Sequence, residues 1–282
     1  MRLNPFNPNS INVRGGGGGF PGGGGGQVGC GAIVIALIGA LVFGIDPGQM
    51  LGTMEGAQTG AQQPADSRSV QELCTQNQYA TDACNTLQSL NDTWAPIFQK
   101  ANIKFTPPAM DLYSGQDRSG CGVAQSAMGP FYCPNDQTIY LDTSFYDELN
   151  KRLGAGPGDF ARYYVVAHEY GHHIQALTGV AQQISSAQQQ NPGQANALSV
   201  RLELQADCYA GVWAGKNRNL IEPGDFEEGM QAAQAIGDDT LTKGRVSPDN
   251  FTHGTSQQRM QALRLGMESS DDSQCDRIVQ VS

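Results

Sequence analysis

The sequence predicts an α+β fold in which helices pack over a small sheet, preceded by an apolar segment long enough to cross a membrane. Apolar residues recur at helical spacing early and late in the chain, and short β-like segments separated by Pro, Gly, Asn and Asp lie between them. An uncharged apolar run near the N-terminus predicts the membrane segment. The 282 residues are enough for one sizeable domain with appendages.

The N-terminal part of the chain is predicted to contain a transmembrane helix. Residues Val28 to Ile45 are apolar or Gly and would span about 27 Å as a helix, close to the hydrocarbon thickness of a bilayer. Arg2 and Arg14 precede this run, and every carboxylate follows it. The positive-inside rule therefore places the N-terminus in the cytoplasm. A cleaved signal peptide is the alternative, although Asp46-Pro47-Gly48 would make a poor cleavage site.

The predicted organisation has four parts. A Gly-rich cytoplasmic segment, a transmembrane helix, a flexible linker and a folded domain cover residues 1–27, 28–45, 46–68 and 69–282. This topology predicts a single-pass cell-membrane protein whose folded domain lies on the extracytoplasmic, periplasmic side. The formal charge of -10 gives no diffuse positive field, so no nucleic-acid partner is expected. The sequence does not indicate an oligomeric state.

Cysteine usage agrees with an exported domain. Six cysteines follow the apolar run, and an even number is typical of a disulfide framework in an oxidising compartment. Many pairings are open to six cysteines, but pairing of local neighbours gives Cys74–Cys84, Cys121–Cys133 and, for the remaining two, Cys208–Cys275. Six free buried thiols are the alternative, which is weaker because these cysteines lie among polar and Gly-rich residues.

Helices are predicted on both sides of a short β region. The predicted helices are Val70–Lys100, Thr143–Leu153, Asp159–Leu177, Ala195–Lys216, Asp225–Ile236 and Ser256–Met267. The predicted strands are Asn102–Thr106, Met110–Tyr113, Gly129–Cys133 and Thr138–Asp142. The Gln-rich stretch Ala181–Ala195 is interpreted as a solvated connection.

The segment His168-Glu169-Tyr170-Gly171-His172 is the strongest functional signal. Four residues advance a helix by slightly more than one turn, so His168 and His172 project from one face and can share a tetrahedral zinc ion. Glu169 is rotated by about 100 degrees, which suits contact with a metal-bound water. Simple packing of the two histidines is the alternative, but unpaired imidazoles in a buried helix would be costly.

A catalytic zinc site needs a third protein ligand and an open position for water. Glu203 is the predicted third ligand, because its helix offers small and apolar residues for packing against the first helix. Asp207 lies one turn further on and is the predicted acceptor of a hydrogen bond from a ligand imidazole, that of His168. An amphipathic helix with two solvated acids is the alternative for this segment.

These motifs resemble the gluzincin type of zinc peptidase, and the wider pattern resembles the bacterial putative neutral zinc metallopeptidase family. The matching segments are Cys121-Gly122, Gly129 to Pro134, Tyr140-Leu141-Asp142, His168 to His173, Glu203 to Cys208, Gly211-Val212-Trp213 and Phe251 to Ser256. The resemblance implies a zincin-like metallopeptidase domain that hydrolyses peptide bonds through a metal-activated water, with Glu169 as the general base.

Two further histidines have different expected roles. His253, in the turn Thr252-His253-Gly254, is the candidate donor to the oxyanion of the tetrahedral intermediate, and a surface position fits the sequence equally well. His173 lies about 100 degrees around the helix from His172, so a packing or hydrogen-bonding role is expected.

The sequence thus predicts a membrane-anchored zinc peptidase acting on a peptide or protein substrate. A non-catalytic zinc-bearing envelope scaffold and a hydrolase of cell-wall amides are the alternatives. The substrate is expected to add a strand to an exposed sheet edge, formed by Gly129–Cys133 or Thr138–Asp142.

Overall fold

The computed structural model describes residues 1–16, 66–153 and 158–280. The strands in these ranges are β1 Asn12–Gly15, β2 Ala109–Tyr113, β3 Gln116–Ser119, β4 Gly122–Gln125, β5 Phe131–Cys133 and β6 Thr138–Asp142. The α-helices are α1 Val70–Cys74, α2 Gln78–Lys100, α3 Phe145–Leu153, α4 Asp159–Thr178, α5 Val180–Gln190, α6 Ala195–Lys216, α7 Asp225–Ala235, α8 Asp238–Leu241, α9 Ser256–Ser269 and α10 Asp272–Asp276. The order of elements is that of an α+β fold, as the sequence predicts.

The predicted transmembrane segment, Val28–Ile45, lies outside the described residues, as does most of the predicted linker. Among the helices that are described, none combines the length and the apolar character needed to cross a bilayer. Membrane attachment therefore stays a prediction.

Four strands form the main sheet in the order β1-β2-β6-β5. β1, β2 and β6 are parallel, and β5 runs antiparallel to β6 at one edge. β6 is paired on both sides, with β2 and with β5, and every residue of β6 and of β5 is buried. Of the two predicted substrate edges, the one at Thr138–Asp142 is therefore wrong, and β5 is the strand that lies at an edge. β3 and β4 form a separate hairpin.

Residues 1–16 belong to the fold, although the sequence analysis starts the domain near Ser69. β1 pairs with residues 109–112 of β2, and Ile11 and Val13 are buried. Sequence reasoning missed this strand because four residues between polar and Gly-rich stretches gain order only from their pairing partner. The pairing requires β1 and β2 to lie on the same side of any membrane. If residues 1–27 were cytoplasmic and the domain extracytoplasmic, β1 could not pair with β2.

The helices α4 and α6 approach each other closely at Gly171. A Cβ atom added at Gly171 would lie 2.8 Å from the Cα atom of Ala206, so this crossing requires glycine. α9 packs on the opposite side of α6, where a Cβ atom on Gly266 would lie 2.0 Å from the carbonyl oxygen of Cys208. These two close approaches fix the faces of α4, α6 and α9 that meet at the site.

The three predicted disulfides are confirmed. Cys74 is bonded to Cys84, Cys121 to Cys133 and Cys208 to Cys275. The last of these joins α6 to α10 across a separation of 67 residues. All three therefore connect elements of the domain that carries the metal-binding motif.

Three local predictions are wrong. The stretch Asn102–Thr106 is not a strand. The predicted helix Val70–Lys100 is divided into α1 and α2, because Asn77 caps a new helix with its side chain. The Gln-rich connection contains α5, since Gln and Ala favour a helix and Ile184 is buried against the domain.

Candidate metal centre

The helix α4 presents His168 and His172 on one face, as their spacing predicts. It begins after Gly158 and ends at Thr178, where the capping residue Gly179 adopts the left-handed conformation. Its central turns are buried. The rings of His168 and His172 have centroids 4.8 Å apart. Two imidazoles thus lie side by side within the interface between α4 and α6.

Glu203 from α6 completes a group of three donors. Its Oε2 atom lies 3.2 Å from His168 Nε2, and its Oε1 atom lies 3.6 Å from His172 Nε2. Zinc bonds of 2.0–2.2 Å in a tetrahedron put neighbouring donor atoms about 3.4 Å apart. The three residues each offer a donor atom within 4.8 Å of the others. Donor type and spacing therefore both fit zinc.

The charges around this group also fit a divalent cation. Glu169, Glu203 and Asp207 are all buried, and Arg259 is the buried cation among them. Buried carboxylates need an opposite charge or hydrogen-bond donors. A divalent ion together with Arg259 would balance the three negative charges. Although burial opposes its ionisation, His172 and His168 hold the pKa of Glu203 well below its usual value.

Asp207 is placed where the sequence analysis expects it, behind His168. Its Oδ1 atom lies 2.7 Å from His168 Nδ1 and accepts a hydrogen bond from Tyr164 Oη at 2.5 Å. Arg259 donates to both carboxylate oxygens, at 2.8 and 2.9 Å. Burial opposes ionisation, but Arg259 and His168 lower the pKa of Asp207 to about 2. Since a carboxylate only accepts, His168 carries its proton on Nδ1 and leaves Nε2 for a metal.

His172 is held by Gln175, a residue that the sequence analysis does not single out. Its Nδ1 atom lies 2.9 Å from Gln175 Oε1. The Nε2 atom of Gln175 donates to the carbonyl oxygen of Leu202 at 2.7 Å and to Gln205 at 3.0 Å. These two acceptors fix the amide orientation, so its oxygen faces His172 and accepts from Nδ1. A Gln three residues after a ligand on the same helix is the signal that could have found it.

Glu169 lines a cavity beside the three donors. Its side chain is buried, and the backbone N–H of Tyr132 in β5 lies close enough to favour the ionised carboxylate. Among the protein groups alone, burial raises the pKa of Glu169 to about 8, because His168 only partly offsets the loss of hydration. The carboxyl therefore lies next to the donor group without being one of its three members.

His253 lines the same cavity and is buried. Its Nδ1 atom lies 3.0 Å from Asp238 Oδ1, and its backbone N–H donates to Asp238 Oδ2 at 2.7 Å. Burial opposes ionisation of Asp238, but the hydrogen bonds from His253 and Gly254 keep its pKa below the usual value. Within the described ranges, Nε2 of His253 has no hydrogen-bond partner. The surface alternative for His253 is therefore wrong.

His173 lies outside the donor group. Its Nε2 atom lies 2.7 Å from the carbonyl oxygen of Thr106, and its Nδ1 atom lies 3.0 Å from Tyr132 Oη. The carbonyl accepts from Nε2, so Nδ1 accepts from the tyrosine hydroxyl. The expected hydrogen-bonding role of His173 is confirmed, and it ties β5 to α4.

Sequence comparisons agree with these motifs. The family described as "Putative neutral zinc metallopeptidase" matches residues 6–278. The uncharacterized protein YpfJ of Escherichia coli strain K12 is 45% identical over 249 residues, which cover 86% of this chain and 85% of that protein. The uncharacterized protein Mb2605 of Mycobacterium bovis is 39% identical over 263 residues, covering 84% of each chain. No solved structure has significant similarity to the chain. Because the match extends over nearly the whole length, the chain belongs to this zinc metallopeptidase family.

Proposed function

We propose that the protein is a zinc-dependent peptidase that hydrolyses peptide bonds with Glu169 as its general base. The observation that carries this proposal is the convergence of His168, His172 and Glu203 beside a cavity that Glu169 also lines. Their donor atoms are spaced for a tetrahedral ion. Zinc, when bound, supplies a Lewis acid that activates water and polarises the scissile carbonyl.

Glu169 has the position of a proton carrier. It is excluded from the three-donor group yet lines the same cavity, so its carboxylate can take a proton from the attacking water and return it to the leaving amine. The nearby backbone N–H of Tyr132 favours the ionised carboxylate, which is the form that can take a proton.

His253 is proposed to stabilise the oxyanion of the tetrahedral intermediate. Asp238 holds Nδ1, His253 lines the cavity, and its buried Nε2 has no hydrogen-bond partner among the described residues. With Nδ1 held by Asp238, a proton on Nε2 would be available for donation to a developing negative charge. His253→Ala is therefore expected to lower kcat about 100-fold or more while zinc content stays unchanged.

The edge strand β5 is proposed to bind the substrate backbone. β5 lies at one edge of the sheet, and its Tyr132 lies close to Glu169. A peptide added to this edge would pass the general base with its backbone hydrogen-bonded and its side chains alternating in direction.

An extracytoplasmic location is proposed from the cysteines. Three disulfides join elements of the described domain, and such bonds persist in oxidising compartments. Attachment to the membrane through residues 28–45 is a separate proposal, which rests on the apolar sequence alone. Because β1 pairs with β2, the attachment proposed is one that leaves residues 1–16 and 66–280 on the same side of the membrane.

The test compares Glu169→Gln with wild type. The variant should retain stoichiometric zinc by elemental analysis and lose proteolysis of unstructured protein by about 1000-fold or more, since the amide cannot take a proton. Glu268→Gln, an exposed substitution on α9, is the matched control and should change neither property. Equal proteolysis by Glu169→Gln and wild type would reject the proposed base.

Ligand substitutions test the metal group itself. His168→Ala, His172→Ala and Glu203→Ala should each abolish stoichiometric zinc, because each removes one of three donors. Glu227→Ala is the matched control, since Glu227 is exposed on α7 and belongs to neither group of potential metal ligands. Wild-type protein that holds zinc but cleaves no peptide would favour the envelope scaffold, whereas turnover of peptidoglycan fragments alone would favour a cell-wall amide hydrolase.

A further inference from the structure

A cavity of about 70 Å³ adjoins the metal group. Its wall is formed by residues 128–130 before β5, Phe145 of α3, Val165 of α4, Ile236 after α7 and Leu241 of α8. These residues come from five separate parts of the described chain. The remaining lining residues are those of the site and Arg259, whose guanidinium is already paired with Asp207.

The wall is apolar throughout. Met128, Val165 and Leu241 are buried, and all the lining residues outside the site and Arg259 have apolar side chains or none. An ionised substrate side chain packed against these residues would lose its hydration without meeting an opposite charge there, which is costly; the charged lining groups Glu169, Glu203 and Arg259 belong to the site. An aliphatic side chain would instead gain from leaving water.

The position of the cavity links it to the scissile bond. Consecutive Cα atoms are about 3.8 Å apart, and side chains of an extended peptide alternate in direction. A peptide with its scissile carbonyl at the three donors therefore directs one flanking side chain toward the cavity. We propose that this cavity is a specificity subsite for a small aliphatic side chain next to the cleaved bond. This inference rests on the proposed peptidase function.

The size of the cavity sets an upper limit on the side chain. An apolar cavity of about 150 Å³ holds a benzene ring, and the cavity here has about half that volume, about 70 Å³. Valine and leucine side chains therefore suit it better than phenylalanine or tryptophan. Phe145 is the aromatic side chain of the wall and packs beside Gly129, where an added Cβ would lie 3.4 Å from its ring.

The experiment measures cleavage by the zinc-loaded full-length chain. Profiling with a peptide library first locates the cleaved bond, and a series with Ala, Val, Leu, Phe, Trp, Asp or Lys at each flanking position then follows. At one flanking position, Val and Leu should exceed Asp and Lys in kcat/KM by about 100-fold or more. They should exceed Trp there by about tenfold. The Kd values of the same peptides for the zinc-loaded Glu169→Gln protein should follow the same order.

Two variants change the cavity in opposite directions. Phe145→Ala removes one wall and should raise the Phe-to-Leu ratio of kcat/KM about tenfold, whereas Ile236→Phe should shift the preference toward Ala. Phe105→Ala is the matched control, because the Phe105 ring packs on Phe98 and does not line the cavity. It should leave the ratio unchanged.

The outcomes separate this inference from the proposed function. Zinc-dependent cleavage that prefers a charged residue at both flanking positions, or that neither variant alters, would overturn the subsite and leave the peptidase intact. Absence of cleavage by zinc-loaded wild type would overturn both. If Phe145→Ala does not fold, Ile236→Phe and the Kd order still decide the question.

Discussion

His168 and His172 lie one turn apart on α4, and each offers Nε2 to the same group, but their Nδ1 atoms meet different surroundings. His168 donates to Asp207, which also binds Arg259 and Tyr164. His172 donates to the neutral amide of Gln175, whose other end is held by Leu202 and Gln205. One ligand therefore has a charged support built from three helices, and the other has a neutral support.

His168 has a charged support and His172 a neutral one because the two histidines differ in the charges around them and in their exposure to solvent. Three buried carboxylates already surround the group, and a fourth behind His172 would exceed the charge of a divalent ion and Arg259 together. The His168 side chain is 8% exposed and that of His172 is 22% exposed. Water near His172 can supply part of the polarisation that Asp207 supplies to His168. The protein thus concentrates charge on the more deeply buried ligand.

Of the substitutions that test the difference between the two histidines, removal of Asp207 should have the largest effect on stability and zinc affinity. Asp207→Ala leaves the buried Arg259 without its carboxylate, which costs about 3–5 kcal/mol of unfolding free energy. It should also weaken zinc binding about 10–100-fold, because the tautomer and orientation of His168 are no longer fixed. Urea unfolding and competition with a zinc chelator measure the two effects. Unchanged stability together with unchanged affinity would show that the charged support is dispensable.

A pH effect of intermediate size should come from His173, the third histidine of α4. Burial lowers its folded-state pKa to about 4, compared with about 6.5 in the unfolded chain. Its contribution to stability is therefore present above pH 6.5 and is lost as the pH falls toward 4. This amounts to about 2 kcal/mol between pH 7 and pH 5. Urea unfolding of metal-free wild type and His173→Gln measures it: the difference between the two proteins should shrink by this amount at the lower pH.

The parts of the site that sequence reasoning found are those determined by local geometry. His168, Glu169 and His172 follow from the period of one helix, and Glu203 followed from the need for a third donor on a helix with a packing face. Asp207 followed from Glu203, since it lies one turn away. These residues needed no knowledge of how α9 or the sheet is arranged.

The residues that were missed depend on contacts between distant segments. Arg259 reaches Asp207 because α6 and α9 cross closely at Gly266, and no local pattern marks that crossing. Asp238 lies 15 residues before His253 and is supplied by a helix of only four residues. β1 depends on β2, almost a hundred residues later in the chain. Such pairings are set by tertiary packing, which one sequence does not display.

Substitution of Gln175 tests the neutral support and should have a smaller effect than Asp207→Ala. Gln175→Ala removes the acceptor for His172 and the donor to Leu202, which should cost about 1–2 kcal/mol of stability and weaken zinc binding about tenfold. Gln175→Glu restores the acceptor but brings a fourth carboxylate and loses the donor. If charge balance decides the design, Gln175→Glu should not bind zinc more tightly than wild type. Tighter binding would reject that explanation.

The smallest expected effects come from a matched pair of Tyr→Phe substitutions, one in each support. Tyr164 donates directly to Asp207. Tyr209 accepts from Gln205 and donates to Asp276, and it lies three hydrogen bonds away from His172. Each substitution removes one buried hydroxyl, at a cost of about 1–2 kcal/mol of stability. Only Tyr164→Phe should also weaken zinc binding, by less than about tenfold, because Asp207 keeps Arg259 and His168. Equal losses of zinc affinity in both variants would mean that the neutral support transmits its geometry as far as Asp276, and the contrast between the two histidines would then be one of charge alone.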